Sequence, residues 1–303
     1  MSAPRSAVEA LPDPVAPAAP GPASPTASRR SRRADLTLVT GAVLVGLVVV
    51  LALVSFVWTP YDYAAPDPAA RLQGVSAAHP FGTDRYGRDT LTWIMMGARI
   101  TLLVGLIAVV IALVVGVPLG VLAGMTRIRW LSGLVMRGSD VLLAFPALLL
   151  AIVFSAVFGP GTVPAMCALG IAAIPAFARV ARSGTLQIMS REFIAAARTA
   201  NRSPWAIAVT HVLPNIGGLV VVQASVAFAL SVLAEAGLSF LGLGTQPPTP
   251  SWGRMLQESQ QYLGTAPELA IFPGVFIAVA VLGFNLLGDG LRDRLDPTLR
   301  GRE

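Results

Sequence analysis

Side chains that could catalyse a reaction or bind a metal are few in this sequence and lie far apart. The 303 residues include only two histidines, His79 and His211, and one cysteine, Cys167. A Ser-His-Asp triad or a zinc site of cysteines and histidines cannot be assembled from these groups. All 22 basic residues are arginines, so the lysine of a nucleotide-binding G-x-x-x-x-G-K-[ST] loop is missing as well. The sequence therefore predicts a chain that is not itself an enzyme and that has no metal site.

The one local group of potential metal ligands follows His79, because Asp84 and Asp89 lie in the same short segment. A metal site normally uses several such ligands, and no second histidine lies nearby. Gly82, Gly87 and the alternating charges instead favour a turn-rich loop that is held by salt bridges. We interpret this segment as a structured cap rather than as a metal centre.

Ionisable residues inside apolar segments are functional candidates, because a charge within a bilayer is costly. Arg137 and Asp140 are three residues apart, so they are expected to pair on one helix face. They lie near the end of their segment, where pairing and snorkelling would also explain them without a function. Glu235 is either a hydrogen-bonding group that faces a partner or a structural group, and the sequence leaves both interpretations open.

The composition shows what kind of elements must position these side chains. Hydrophobic residues make up 54% of the chain and charged residues 13%, against about 25% charged in a typical soluble domain. The mean hydropathy is +0.70. The net charge of +6 does not indicate nucleic-acid binding, because the arginines cluster beside apolar segments instead of forming one basic face. The expected fold class is an all-α integral membrane protein.

A helix that crosses a bilayer needs about 20 mostly apolar residues, and six segments approach or exceed that length. The predicted spans are 36–58, 100–124, 134–158, 163–180, 216–238 and 269–287. Pro146 is expected to kink the third span, and Pro164 and Pro175 the short fourth one.

Arginines are distributed unequally between the two sides that these spans define. One side carries arginines at 29–33, 127–129, 179–202 and 292–302. The other carries Arg71, Arg85, Arg88 and Arg254 among acidic residues. Because basic residues concentrate in cytoplasmic segments, both termini are expected in the cytoplasm.

This topology predicts the organisation of the whole chain. Residues 1–35, which are rich in Pro, Ala and Ser, are expected to form a disordered cytoplasmic tail whose arginines also suit anionic lipid head groups. The segment 36–58 is too long for a cleaved signal peptide and is expected to remain as the first span. There follow an extracytoplasmic loop over 59–98, a five-helix core over 99–291 and a cytoplasmic tail over 292–303.

The segment 182–215 is predicted to form two short cytoplasmic helices joined by an elbow. Ser190 is a candidate N-cap for the first helix, and Asn201 suits the left-handed conformation that ends it. Ser203 and Pro204 provide the preferred start of a second helix. Pro214 is expected to end that helix.

This segment resembles the cytoplasmic EAA loop of ATP-binding-cassette importer permeases. Ala196, Ala197, Leu213 and Pro214 match the pattern E-A-A, three residues, G, nine residues, I-x-L-P. Three positions depart from it, since Ala195 replaces Glu, Asn201 replaces Gly and His211 replaces Ile. In the family this loop docks on the ATPase subunit and transmits its closure. The resemblance therefore implies an ATPase-coupling surface that consists of Glu192, Ala195, Ala196, Ala197, Asn201, Leu213 and Pro214.

Two further segments are similar to permeases of the dipeptide, oligopeptide and nickel type. The first is HPFGTDRYGRDTLTWIMMGARITLLVG, from His79 to Gly105, and the second is AGLSFLGLG followed by PPTPSWG, over 236–253. The polar end of the last span, 285–297, is also similar. These matches span roughly residues 79–300.

Membership of that family would imply a fold, a location and a set of partners. The fold would be the type I importer permease, with six transmembrane helices and cytoplasmic coupling helices, in a bacterial inner membrane. Its partners would be a homologous permease, two ATPase domains that bind ATP and Mg²⁺, and an extracytoplasmic substrate-binding protein. The loop residues expected to face that binding protein are Asp84, Arg88, Asp89, Pro248 and Trp252. No cofactor is expected in this chain.

The cargo and one different mechanism stay open at this point. Permeases with these signatures serve dipeptides, longer peptides and nickel chelates. An ion-coupled secondary transporter would instead need ionisable residues near the bilayer midplane and an internal repeat, and the sequence has neither.

Overall fold

The computed structural model describes residues 26–295, with side chains from residue 35 onward. The described residues form ten α-helices, which we number in chain order. The helices are α1 (Thr26–Val57), α2 (Thr90–Met125), α3 (Arg129–Ala144), α4 (Ala147–Phe158), α5 (Thr162–Met189), α6 (Glu192–Thr199), α7 (Pro204–Ile207), α8 (Leu213–Phe240), α9 (Trp252–Ser259) and α10 (Glu268–Leu295). Between residues 26 and 295 there is no β-strand, only an isolated bridge between Thr83 and Asp89.

Five helices are long and apolar enough to cross a membrane, and the consecutive pair α3 and α4 forms a sixth if it is one span. The predicted all-α membrane fold is confirmed. The axes of α3 and α4 meet at 81°, and Pro146 lies at the break. The kink expected there is therefore a sharp bend, because proline lacks the N–H that would continue the helix. The helix α5, by contrast, runs on through Pro175.

Several helices are longer than the hydropathy pattern indicates. The first begins at Thr26, within the segment predicted as the tail, and residues 1–25 lie outside the described residues. The second begins at Thr90 and not at residue 100, because Asp89 caps it by accepting a hydrogen bond from the Thr92 N–H at 2.8 Å. The last continues to Leu295, and residues 296–303 lie outside the described part.

Small residues allow the long helices to approach closely. A Cβ at Gly120 of α2 would lie 2.3 Å from the carbonyl oxygen of Ala178 in α5. A Cβ at Gly290 of α10 would lie 2.6 Å from Leu38 of α1. In a bilayer no hydrophobic effect drives helices together, because lipid tails are as apolar as the side chains. Close backbone contact between small residues favours helix association instead.

The bundle has two distinct ends. One, which we call the elbow end, contains the start of α1, residues 126–128, the helices α6 and α7 and the end of α10. An ion pair between Asp35 and Arg294, at 2.7 Å, joins α1 to α10 there. The other, the loop end, contains residues 58–89 and 241–267. Phe81 of the first of these loops stacks on Phe272 of α10 at 4.2 Å.

Candidate functional site

The segment 190–214, which we call the elbow, forms two short helices as the sequence predicts. Asn201 has a φ of 55°, the left-handed conformation expected of it. Ser203 caps α7 by accepting a hydrogen bond from the Ala206 N–H at 3.2 Å. The prediction for Ser190 is wrong, because its hydroxyl donates to the carbonyl of Gln187 at 2.8 Å and thus belongs to the end of α5. Arg191, in an extended conformation, precedes α6 instead.

Pro214 does not end the second helix. A π-helical turn, Ala208–Val212, joins α7 to α8, and the Leu213 N–H donates to the Ala208 carbonyl. Proline is tolerated because Pro214 falls in the first turn of α8, where its missing N–H breaks no helical bond of α8 itself. The wide turn also leaves the His211 carbonyl free to accept the Asn215 side-chain N–H at 2.7 Å. Single π turns within helices are frequent at functional sites.

One face of the elbow packs onto the bundle. Ile194, Ala197, Ile207 and Val212 are buried in a core cluster that includes Phe177 of α5. These residues come from α6, α7 and the π turn, so all three parts of the elbow are attached to the inside of the bundle. The elbow is thus packed as part of the bundle.

The opposite face of the elbow is exposed. Among the predicted coupling residues, Glu192, Ala195, Ala196, Asn201, Leu213 and Pro214 are exposed. Ala197 is not, because only 9% of it is exposed and it belongs to the core cluster. It supports the elbow instead of offering a contact.

Two exposed aromatic residues on the elbow were missed by the sequence analysis. Trp205 is 78% exposed, the largest fraction of any tryptophan in the described residues, and Phe193 is 44% exposed. The Phe193 ring lies 6.0 Å from that of His211. A tryptophan directly after a helix-starting Ser-Pro pair, in an otherwise small-residue segment, is the signal that could have identified this surface.

Asn201 provides a test of the elbow geometry. Replacement by glycine is expected to change the free energy of unfolding by less than about 0.5 kcal/mol, because glycine adopts positive φ readily. Replacement by valine is expected to cost about 1–2 kcal/mol, because a β-branched residue is strained there. Unfolding of the purified variants in mixed micelles measures both effects. Equal stability of the two variants would contradict the left-handed conformation.

At the loop end, two loops are joined by a cluster of ion pairs. The Arg88 guanidinium contacts Asp84 at 2.6 Å through Nε and Glu258 at 3.1 Å through Nη2. Arg254 pairs with the other oxygen of Glu258 at 2.9 Å. The guanidinium of Arg88 also lies 3.6 Å from the centre of the Trp93 ring. The predicted salt-bridged cap is thus present, and it connects the first outer loop to α9.

Only part of the predicted binding-protein surface is accessible at this end. Pro248 is exposed, and Asp84 and Arg88 are partly exposed. Trp252 is completely buried, and its indole N–H donates to the Ile94 carbonyl at 2.9 Å. Asp89 is 3% exposed and binds the His79 Nδ1 at 3.0 Å besides capping α2. These two residues are structural, because neither offers its side chain to a partner.

No metal site is formed by the residues that the structure describes. His79 reaches Asp89 but not Asp84, which is bound to Arg88. Within 35–295 no three histidine, cysteine or acidic side chains converge.

Glu235 is a structural group inside the chain. It is 1% exposed, so it does not face a partner. One carboxyl oxygen, Oε1, accepts hydrogen bonds from the hydroxyls of Ser239 at 2.6 Å and Thr245 at 3.2 Å. These bonds attach the loop after α8 to the helix. Of the two interpretations that the sequence left open, the structure supports the second.

The predicted pair of Arg137 and Asp140 does not form. Asp140 instead contacts Arg179 of α5 at 2.6 Å, and both side chains are more than half exposed. The pairing crosses from α3 to α5, a contact that the spacing along one helix cannot indicate.

Comparison with known proteins shows what kind of protein carries this arrangement. Residues 116–301 match the family described as binding-protein-dependent transport system inner membrane component. The chain is 43% identical to the dipeptide transport system permease protein DppC of Alkalihalophilus pseudofirmus, over 86% of each chain. It is also 43% identical to the glutathione transport system permease protein GsiD of Pectobacterium atrosepticum, over 86% of this chain and 87% of that one.

A solved structure supports the fold. A chain of the MetNI methionine ABC transporter, in an inward-facing conformation, aligns with a TM-score of 0.56 and 21% identity, and the alignment covers 66% of this chain and 94% of that one. Because two relatives at 43% identity and the family match agree with this likeness, the chain belongs to the binding-protein-dependent transport system inner membrane components and is the permease of an ATP-binding-cassette importer.

Proposed function

We propose that this permease imports peptides of dipeptide or oligopeptide size. It forms the translocation pathway together with a homologous permease, and it receives its driving force from two ATPase domains that bind ATP and Mg²⁺. An extracytoplasmic binding protein delivers the cargo to the loop end. ATP binding and the loaded binding protein both bias one equilibrium between inward-facing and outward-facing states.

The observation that supports ATPase coupling in this proposal is the elbow, which has one buried face and one exposed face. Its inner face is anchored among the long helices by Ile194, Ile207 and Val212. Its outer face carries Ala196 and Trp205, which are both exposed. A rigid element that is fixed on one side and free on the other is suited to transmit the closure of an ATPase to the spans.

The distribution of charge supports a cytoplasmic elbow end. Arginines at 127, 129, 182, 191, 198, 202, 292 and 294 lie at or near this end. The loop end carries Arg71, Arg85, Arg88 and Arg254, and the last two form ion pairs, Arg88 with Asp84 and Glu258 and Arg254 with Glu258. By the positive-inside rule, this asymmetry favours a cytoplasmic position for the elbow. The ion pair between Asp35 and Arg294 brings the two ends of the described chain to the same side.

The names of the relatives favour a peptide cargo. Those relatives are named for dipeptide and glutathione transport. A nickel chelate is the alternative cargo, because permeases of that type share the same signatures. An ion-coupled secondary transporter is a different mechanism, and uptake that a protonophore alone abolishes would favour it over an ATP-driven importer.

Site-directed cross-linking tests the docking of the elbow. Cys167, the only native cysteine, is first replaced by alanine, and a single cysteine is then placed at Ala196 or Trp205. A cysteine-reactive photo-cross-linker is expected to join both positions to the ATPase subunit in membrane vesicles. A cysteine at Ala77, an exposed residue of the loop end, serves as the matched control and is expected to give no such product. The docking assignment fails if 196 and 205 give no more ATPase product than 77.

A further inference from the structure

A second surface of the elbow end lies outside the elbow. An open cleft of about 460 Å³ lies where the end of α2, the start of α3 and the last turns of α5 meet. Its polar lining consists of Thr126, Arg127, Arg129, Ser132 and Arg182. The coupling function proposed above does not use this cleft.

The cleft concentrates positive charge that nothing described compensates. Arg127, Arg129 and Arg182 line it, and none of them has an ion pair within the part of the chain that the structure describes. No carboxylate of residues 35–295 is among the lining groups. The three guanidinium groups therefore repel one another unless an anion lies between them.

Two further observations concern hydrogen-bond donors at the cleft. The Nε of Arg182 is buried and donates no hydrogen bond to any described residue. A buried donor without an acceptor costs about 1–3 kcal/mol. The 16-residue helix α3 begins here as well, and its N-cap residue, Ile128, provides no side-chain bond to the free N–H groups of the first turn. Helix N-termini with free N–H groups attract phosphate and other anions.

Exposed apolar side chains lie next to the lining residues in the sequence, at the start of α3. Trp130 is 70% exposed, Ile128 49% and Leu134 61%. Tryptophan beside arginine is typical of the level of the lipid head groups, and exposed aliphatic residues beside it suit acyl chains. An anion that also carries apolar chains would match both parts of this surface.

We propose that this cleft is a binding site for a phosphate-bearing anion, the head group of an anionic phospholipid such as phosphatidylglycerol. Arg182 holds the phosphate at the base of the cleft, since its planar guanidinium matches two phosphate oxygens at once. Arg127 and Arg129 close over it from the rim, and Trp130 and Leu134 contact the acyl chains. The bound lipid compensates the positive charge of these three arginines, at the place where α2, α3 and α5 meet.

Native mass spectrometry of the full-length chain with its co-purified subunits tests this site. Short-chain phosphatidylglycerol and phosphatidylcholine are titrated separately, and the Kd of the first bound lipid is measured for each. The wild-type chain is expected to bind the first phosphatidylglycerol about tenfold more tightly than phosphatidylcholine. R127Q/R129Q and R182Q are expected to lose this preference. R182K, which retains the charge but not the planar fork, is expected to lose part of it.

Arg137 provides the matched control, because it is an exposed arginine of α3 that does not line the cleft. R137Q is expected to retain the preference of the wild type. Arg127 and Arg129 are exposed, so their double variant keeps the test valid even if R182Q does not fold.

Three results would overturn the proposal. They are equal affinity for the two lipids in the wild type, an equal loss of preference in R137Q, and phosphatidylglycerol binding that appears only after the ATPase is removed. The last would identify the cleft as a protein contact.

Competition by inorganic phosphate distinguishes the two sources of the anion, a lipid head group and free phosphate. Lipid binding that phosphate does not displace supports the head group, and displacement at similar concentrations assigns the site to the free ion.

Discussion

Replacement of Ala196 by arginine is expected to leave the chain folded and inserted while ATP-driven peptide uptake falls about a hundredfold. Ala196 lies on the exposed face of α6, so a long side chain meets no resistance within this chain. At a docked interface the same side chain would insert an unpaired charge, which costs about 3 kcal/mol or more and lowers affinity about a hundredfold. Uptake into proteoliposomes and co-purification of the ATPase measure the effect.

Two variants isolate the cause of that loss. Ala77→Arg makes the same chemical change at an exposed residue of the loop end. Because this residue lies far from the elbow, the ATPase is expected to co-purify with the variant as it does with the wild type. Ala197→Arg changes the neighbouring residue, which is buried in the core of the elbow, so it is expected to unfold the elbow. Uptake at the wild-type rate in Ala196→Arg would show that this face does not dock on the ATPase.

Replacement of Trp252 by alanine is expected to lower the free energy of unfolding by about 3–5 kcal/mol. The indole is completely buried among α1, α2, α8 and α10, where it contacts Gly97 and its N–H donates to the Ile94 carbonyl. Alanine would leave a cavity at the loop end. Unfolding in mixed micelles, followed by circular dichroism, measures the change.

Matched variants separate packing from hydrogen bonding at Trp252. Trp252→Phe retains most of the volume and is expected to lose about 1 kcal/mol, the typical contribution of one hydrogen bond. Trp58→Ala removes a tryptophan that is 59% exposed and is expected to change the stability by less than about 0.5 kcal/mol. A loss in Trp252→Ala no greater than in Trp58→Ala would be inconsistent with the burial of this residue.

The errors of the sequence analysis share one physical origin. Ser190, Pro214 and the pair of Arg137 and Asp140 were each interpreted from neighbours within a few residues. At each position the chain either continues into a longer helix or pairs with another helix. Ser190 bonds back into a longer α5, a π turn carries the chain into α8, and Asp140 pairs with Arg179 on another helix.

The sequence alone determined the properties that depend on composition and on local spacing. Five of the six predicted apolar segments lie in helices long enough to cross a bilayer, because a span needs about 20 apolar residues whatever packs around it. The left-handed Asn201 and the Ser203 cap followed from backbone preferences of single residues. The motif around Ala196 indicated the family, which the comparisons confirm.

Only the tertiary structure decided which side chains face a partner. Ala196 and Ala197 are adjacent and identical, yet one is exposed and the other is buried in the core cluster that includes Phe177 of α5. Trp252 and Ile94 are 158 residues apart, and their hydrogen bond removes the tryptophan from the surface. The arginines of the cleft likewise come from separate parts of the chain, the connection before α3, α3 itself and α5. Such pairings depend on how distant helices pack, because burial and charge compensation are properties of the assembled bundle and not of any one segment.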